Sequence, residues 1–237
     1  MIQPSTTHRM ILAHHPRFGQ LYVPGINARV PGPAGPYFLK TNGQGFRSDW
    51  EFRREKGGKP RILVFGDSYT AGDGVTNRDR FAEKLGDTYG AEVFNFGVAG
   101  TGTDQHLMIF EEIAKSVAAD LIIFAVAVHN IDRIKVGYRE YIERTTGERV
   151  LGAKPFFEMV NGRLELRGVP VPIERPRAAD AEKGTYEQPV VHDNEGGFGL
   201  INKVRDGLRL RQFDSTIEKL APDLKPSIRA RLLKAQN

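Results

Sequence analysis

Residues 61–75 read RILVFGDSYTAGDGV, an apolar run that ends on Gly66-Asp67-Ser68 and then turns small and polar. Its first five positions do not alternate between apolar and polar, as expected of a strand covered on both faces in a parallel sheet. Two later runs have the same character, VFNF at 93–96 and LIIFAVAV at 121–128. Helical patterns over about 78–89 and 104–118 separate the three runs, and this order of strand and helix predicts βαβ units and an α/β domain. In such sheets ligands bind beyond the carboxyl ends of the strands, where loops lead into helices. The three loops there are GDSYTAG at 66–72, NFGVAGTG at 95–102 and HNID at 129–132.

These loops carry the residue types that acyl transfer needs. A serine hydroxyl at a strand end is presented to substrate, and the charge that develops on the substrate oxygen needs several donors aimed at it. Ser68 offers the hydroxyl and a backbone N–H, Gly100 an N–H at a residue that permits close backbone approach, and Asn130 a side-chain amide. Read singly, each feature has a plainer meaning. Asp67 and Ser68 suit a helix N-cap and first turn, the glycines suit turns, and Asn130 suits a turn closure. The order Gly97-x-x-Gly100-x-Gly102 is not the dinucleotide-binding spacing. The SYTAGDG loop leaves a flavodoxin-like phosphate or flavin binder as a further reading.

GDS after one apolar strand, NFGVAGTGTDQ after the next and Asn at the end of the third resemble the SGNH/GDSL hydrolases, a family of esterases and lipases. The resemblance implies a flavodoxin-like three-layer α/β/α fold, with Ser68 as nucleophile and Gly100 and Asn130 as oxyanion donors. YFLKTNGQGFRSD at 37–49 and KPFFEMVNGRLELRGVPVP at 154–172 look like segments of bacterial members, and the resemblance covers roughly residues 37–172. The third block departs from Gly-x-Asn-Asp, reading Val128-His129-Asn130-Ile131 with Asp132 one place late. The family's Asp-x-x-His block is missing, since none of the six histidines follows an aspartate by three positions. The expectation is a sheet of three core strands, truncated relative to the family's five, and a weakly active serine ester hydrolase acting on a carbohydrate or small acyl ester. An O-acetyltransferase using the same site, or an inactive carbohydrate- or protein-binding module, are the alternatives. His129 and His106 are the histidines nearest the loops in sequence. His129, adjacent to Asn130, is expected to point away from it, and His106 to sit within a helix.

The chain as a whole sets the bounds. A length of 237 residues suits one domain with extensions, and 40% hydrophobic with 27% charged residues is a globular composition. The net charge of +5 is spread through mixed-sign stretches, so the arginines are read as solvated surface and no nucleic-acid groove is expected. Absence of cysteine removes disulfides, thiolate metal sites and a cysteine nucleophile. No histidine pair has metal-ligand spacing with a nearby acid, so neither metal nor cofactor is expected. The N-terminal MILA is too short for a membrane span or a signal peptide, which makes the cytoplasm the expected location.

Residues 1–59, rich in Pro and Gly, are expected to form an extension of loops and short strands, including 20–23 and 37–40. The α/β domain fills 60–237, with a β-hairpin insertion at 150–172 turning at Asn161-Gly162, a mobile polar segment at 174–199, and two helical patterns in 200–235 broken at Pro222 and Pro226. Continuous apolarity makes the strand near Leu121–Val128 a liability if its outer edge is unpaired. A cover from the hairpin, the C-terminal helices, a protein partner or a second copy is expected there.

Overall fold

The structure is a computed structural model that describes residues 11–32, 34–142 and 146–182. Its centre is a parallel sheet of three strands, β5 (Arg61–Gly66), β6 (Glu92–Asn95) and β7 (Leu121–Ala125), in the order β6-β5-β7. Val64 lies opposite Asn95 on one side and Ile123 on the other, so all three strands end at nearly the same level. The strand β5 is buried at every position. Its side chains divide between two apolar clusters, as the period of two requires. Leu63 and Phe65 join Phe94, Phe96 and the α3 residues Met108 and Ile109, where α3 is Thr103–Ile109. Ile62 and Val64 join Val93 and Ala82, the latter from α2 (Phe81–Tyr89). Phe65 stacks between Phe96 and Phe124, at ring-centroid distances of 5.0 and 4.9 Å.

Both intervening helices are shorter than their sequence patterns. A 3₁₀ turn at Asn77–Asp79 precedes α2, which stops at Gly90 in the left-handed region, φ 63°. The other helix passes from α3 into one π-helical stretch at Phe110–Ala114.

Full burial on both faces does not hold for β7. Leu121, Ile122 and Phe124 keep 41%, 43% and 38% of their surface exposed, and β7 pairs only with β5 among the described residues. An outer position with helices packed over β5 and β6 leaves its side chains half covered.

Before the sheet come two hairpins, β1 (Leu12–His15) with β2 (Gly19–Tyr22) and β3 (Asn27–Val30) with β4 (Tyr37–Lys40). The expected pieces at 20–23 and 37–40 are β2 and β4. Their partners LAHH and NARV mix polar and apolar residues without a clear period, and neither stands out in the sequence. Phe18, Tyr22, Leu39, Phe46 and Phe52 of this region are buried in the same cluster as Phe65 and Phe94.

After the sheet, β8 (Tyr138–Ile142) pairs with β9 (Arg149–Ala153), and β10 (Phe156–Val160) with β11 (Arg163–Arg167). The second pair turns at Asn161-Gly162 with φ 49° and 77°, the two positive values that a tight hairpin turn of this type demands. A short helix, α4 (Ala178–Glu182), falls in the stretch expected to be mobile. The rest of that stretch and the two C-terminal helical patterns lie outside the described residues. No described helix is long and apolar enough to cross a membrane.

The arginines correct the reading of a solvated basic surface. Arg47, Arg61 and Arg80 rank among the largest fully buried side chains. Arg47 donates to the carbonyls of Gly72 and Val75 and to Asn77 Oδ1, at 2.7 to 3.2 Å. Arg80 pairs with Glu83 and also donates to the carbonyl of Asn77, so it is not solvated surface. Each guanidinium spends its donors on backbone carbonyls of the surrounding loops, which is what makes its burial tolerable.

Candidate active site

The strand β5 ends on Gly66, Asp67 follows, and Ser68 opens the single helical turn α1 (Ser68–Ala71). Asp67 is the N-cap, its Oδ1 accepting from the Tyr69 N–H at 3.1 Å, and Gly72 closes the turn at φ 78°. The capping reading of Asp67 is therefore correct, and the residue has further roles. Its carboxylate is buried and its Oδ2 accepts from Asn130 Nδ2 at 2.5 Å and from Arg133 Nη1 at 3.3 Å. Asn130 and Arg133 belong to the 3₁₀ segment Val128–Lys135 that follows β7. The first and third loops thus meet at Asp67.

The second loop is bound to the first from two directions. Asn95 Nδ2 donates to the Thr70 carbonyl at 2.8 Å, and Asn95 Oδ1 accepts from the Gly97 N–H at 2.9 Å. A Cβ on Gly97 would stand 2.6 Å from the Ala71 nitrogen, so only glycine lets this loop lie against α1. From the far side, Arg133 Nη1 also donates to the Thr101 carbonyl at 2.9 Å. Gly100 has φ +80°, and a Cβ there would meet Gln20 Nε2 at 2.9 Å and Arg139 Nη1 at 3.0 Å. Its carbonyl accepts a hydrogen bond from Arg139, while Gln20 donates to the neighbouring Ala99 carbonyl at 2.6 Å.

Ser68, Gly100 and Asn130 accordingly sit on three loops that one hydrogen-bonded set holds together, at the carboxyl ends of β5, β6 and β7. Asn130 spends one amide N–H on Asp67 and keeps its second. Ser68 is half-buried, and its hydroxyl has no hydrogen bond among the described residues. Arg133, Arg139, Thr101 and Gln20 were not singled out in the sequence. Thr101 lies within the second loop itself, whereas Arg133, Arg139 and Gln20 come from segments with no motif of their own, and only the folded chain brings them to the loops.

His106 is buried in α3 and serves the second loop. The Thr101 hydroxyl donates to the Val98 carbonyl at 2.7 Å, so its contact with His106 Nε2, at 2.9 Å, requires the proton on that nitrogen. Nδ1 is then an acceptor, buried and without a partner. Burial lowers the His106 pKa to about 4, helped by the like charge of Arg133 and opposed by Asp67. The native state therefore holds fewer protons than the unfolded chain between pH 4 and the ordinary 6.5. The stabilisation is complete above that window and is lost as pH falls through it. Relative to His106→Gln, the wild-type chain is expected to lose about 3 kcal/mol on acidification from about pH 7 to about pH 4. Urea unfolding across that range measures it, and parallel pH curves for the two proteins would refute the assignment. The side chain of His129 lies outside the described set.

Beneath Gly102, Lys154 pairs with Asp104, both buried, and donates also to the Val136 carbonyl at 3.2 Å. Burial raises the Asp104 pKa and lowers that of Lys154. The pair fastens the chain after β9 to the start of α3. Among the described residues no three His, Cys, Asp or Glu side chains gather as a metal site. No protein-family model and no curated protein matches the chain.

Proposed function

We propose that the protein is a serine ester hydrolase of the SGNH/GDSL type, with a flavodoxin-like arrangement of its sheet and helices, acting on a carbohydrate or small acyl ester. Ser68 is the nucleophile in this reading, and the Ser68 and Gly100 N–H groups with the Asn130 amide receive the oxyanion. The observation that carries it is the Asp67 carboxylate, which binds the Asn130 amide while capping the turn that Ser68 opens. Two groups with no reason to meet in an ordinary strand-to-helix junction are thereby placed at one end of the sheet. Transfer of the acyl group to a polysaccharide hydroxyl uses the same atoms, with the sugar in place of water.

A serine hydroxyl without a base is a weak nucleophile. With no hydrogen bond to Ser68 Oγ among the described residues, turnover on the order of 10³ to 10⁴ over water is expected, the level that binding and an oxyanion hole supply alone. A fluorophosphonate probe should label the full chain at Ser68, label Ser68→Ala not at all, and be accompanied by slow 4-nitrophenyl acetate hydrolysis. A wild-type chain that takes up no label and turns over at the buffer rate would sink the proposal. The unengaged hydroxyl also favours a second reading, a binding module that retains the site without the chemistry. Glycan binding that survives Ser68→Ala, with no hydrolysis by either protein, separates the two.

A further inference from the structure

The second and third loops are joined by arginines, and the resulting charge is not balanced. Arg139, from β8, and Arg133, from the segment after β7, bind the carbonyls of consecutive residues, Gly100 and Thr101. Each makes that bond through Nη1, and among the described residues the carboxylate bonded to either is Asp67, at 3.3 Å from Arg133. Lys154 lines the same recess as Arg139 and Gly100, a water-sized space of about 10 Å³. The two arginines thus share one carboxylate, Asp67, because Asp104 is committed to Lys154.

We propose that the site takes an ester whose substrate carries a carboxylate close to the reacting carbonyl, received by Arg139 and Arg133. This deepens the hydrolase reading and rests on it for the position of the ester. A planar guanidinium fork matches a carboxylate in geometry as well as charge. Two arginines bound to the carbonyls of consecutive residues repel each other, and an anion near both lowers that cost. The depression of the Arg133 pKa has this origin in part, with burial first and the charge of Arg139 second. The carboxylate has two possible sources, a uronic acid in the sugar or a dicarboxylic acyl group.

Calorimetric titration of the full chain with trigalacturonate, with succinate and with maltotriose as the neutral sugar tests the proposal and distinguishes the sources. At least one anion should bind about tenfold or more tighter than maltotriose. Raising NaCl from about 20 to about 150 mM should weaken that binding severalfold. Arg139→Gln, at an unchanged melting temperature, should weaken it about tenfold. Trigalacturonate alone assigns the charge to the sugar, and succinate alone or both anions assign it to the acyl group. If Arg139→Gln fails to fold, Arg133→Lys and the salt dependence decide. Equal binding of maltotriose, no anion binding, or anion binding indifferent to salt and to the arginines overturns the proposal. Ser68→Ala should bind the anion unchanged. Anion binding without Ser68 labelling would sink the hydrolase reading alone, and labelling without anion preference would sink this inference alone.

Discussion

Replacing Arg61 with methionine is expected to destabilise the protein by about 3 to 5 kcal/mol, the range found when one partner of a buried charged network is removed. Arg61 is fully buried at the first position of β5. Its guanidinium donates to the carbonyls of Arg53, Arg54, Glu55 and Ala118 at 2.6 to 3.2 Å, binds Glu92 at 2.8 Å, and lies 4.4 Å above the Phe94 ring. Methionine fills a similar volume and keeps apolar contact with Phe94, so the loss isolates the polar part. The carbonyls of Arg53, Glu55 and Ala118 lose the guanidinium, while that of Arg54 keeps the Ala118 N–H, and leaving such groups unpaired costs more than the bonds themselves contribute. For a chain of this size the melting temperature should drop by roughly 10 °C or more. A drop of less than about 2 °C in a thermal scan would mean that water replaces the guanidinium without penalty.

Asp67→Ala should have the second largest effect, and it is felt at the site. Without the carboxylate, Asn130 loses its acceptor, Arg133 its counter-charge and α1 its cap. Hydrogen bonds to charged groups contribute about 1.5 to 3 kcal/mol each, and a cap about 1. Because Arg133 retains the Thr101 carbonyl and some exposure to water, a total of about 2 to 4 kcal/mol is expected rather than the full sum. Ser68 should then react with the fluorophosphonate at least about tenfold more slowly, since the Asn130 amide is no longer held. Asp67→Asn keeps one acceptor oxygen and should lose less stability while still slowing the reaction. Equal labelling rates for wild type and Asp67→Ala would show that Asp67 does not position Asn130.

The central sheet was readable because unbroken apolar runs have few explanations in a chain of this composition. RILVF, VFNF and LIIFA became β5, β6 and β7, and Asn161-Gly162 became the turn that its positive φ values require. The rest escaped for identifiable reasons. A buried arginine such as Arg47 or Arg61 has the same letter as a solvated one, and only the unpaired carbonyls around it justify its position. His14 carries no sign of its role in its local sequence, yet it is half-buried in β1 and bonds the Val171 carbonyl at 2.9 Å, a partner 157 residues away. At the site, Ser68, Gly100 and Asn130 announce themselves by following strands. Arg133, Arg139 and Gln20 hold the loops from segments whose own patterns say nothing of that task. Edge position accounts for the exposure of β7, because the run LIIFAVAV says that the strand is apolar and not how many neighbours it has.

The residue that grips the Gly100 carbonyl is borne on β8, outside the parallel sheet that presents Ser68, and the chain leaving β9 is riveted to α3 by Lys154 and Asp104. On the proposed reading, the nucleophile and one of the two arginines that receive the substrate's charge therefore lie on separate stretches of polypeptide. A transplanted β8–β9 hairpin that keeps Lys154 and a donor to the Gly100 carbonyl would, on that proposal, redirect what the pocket accepts while leaving the serine turn and the Asp67–Asn130 contact as they are.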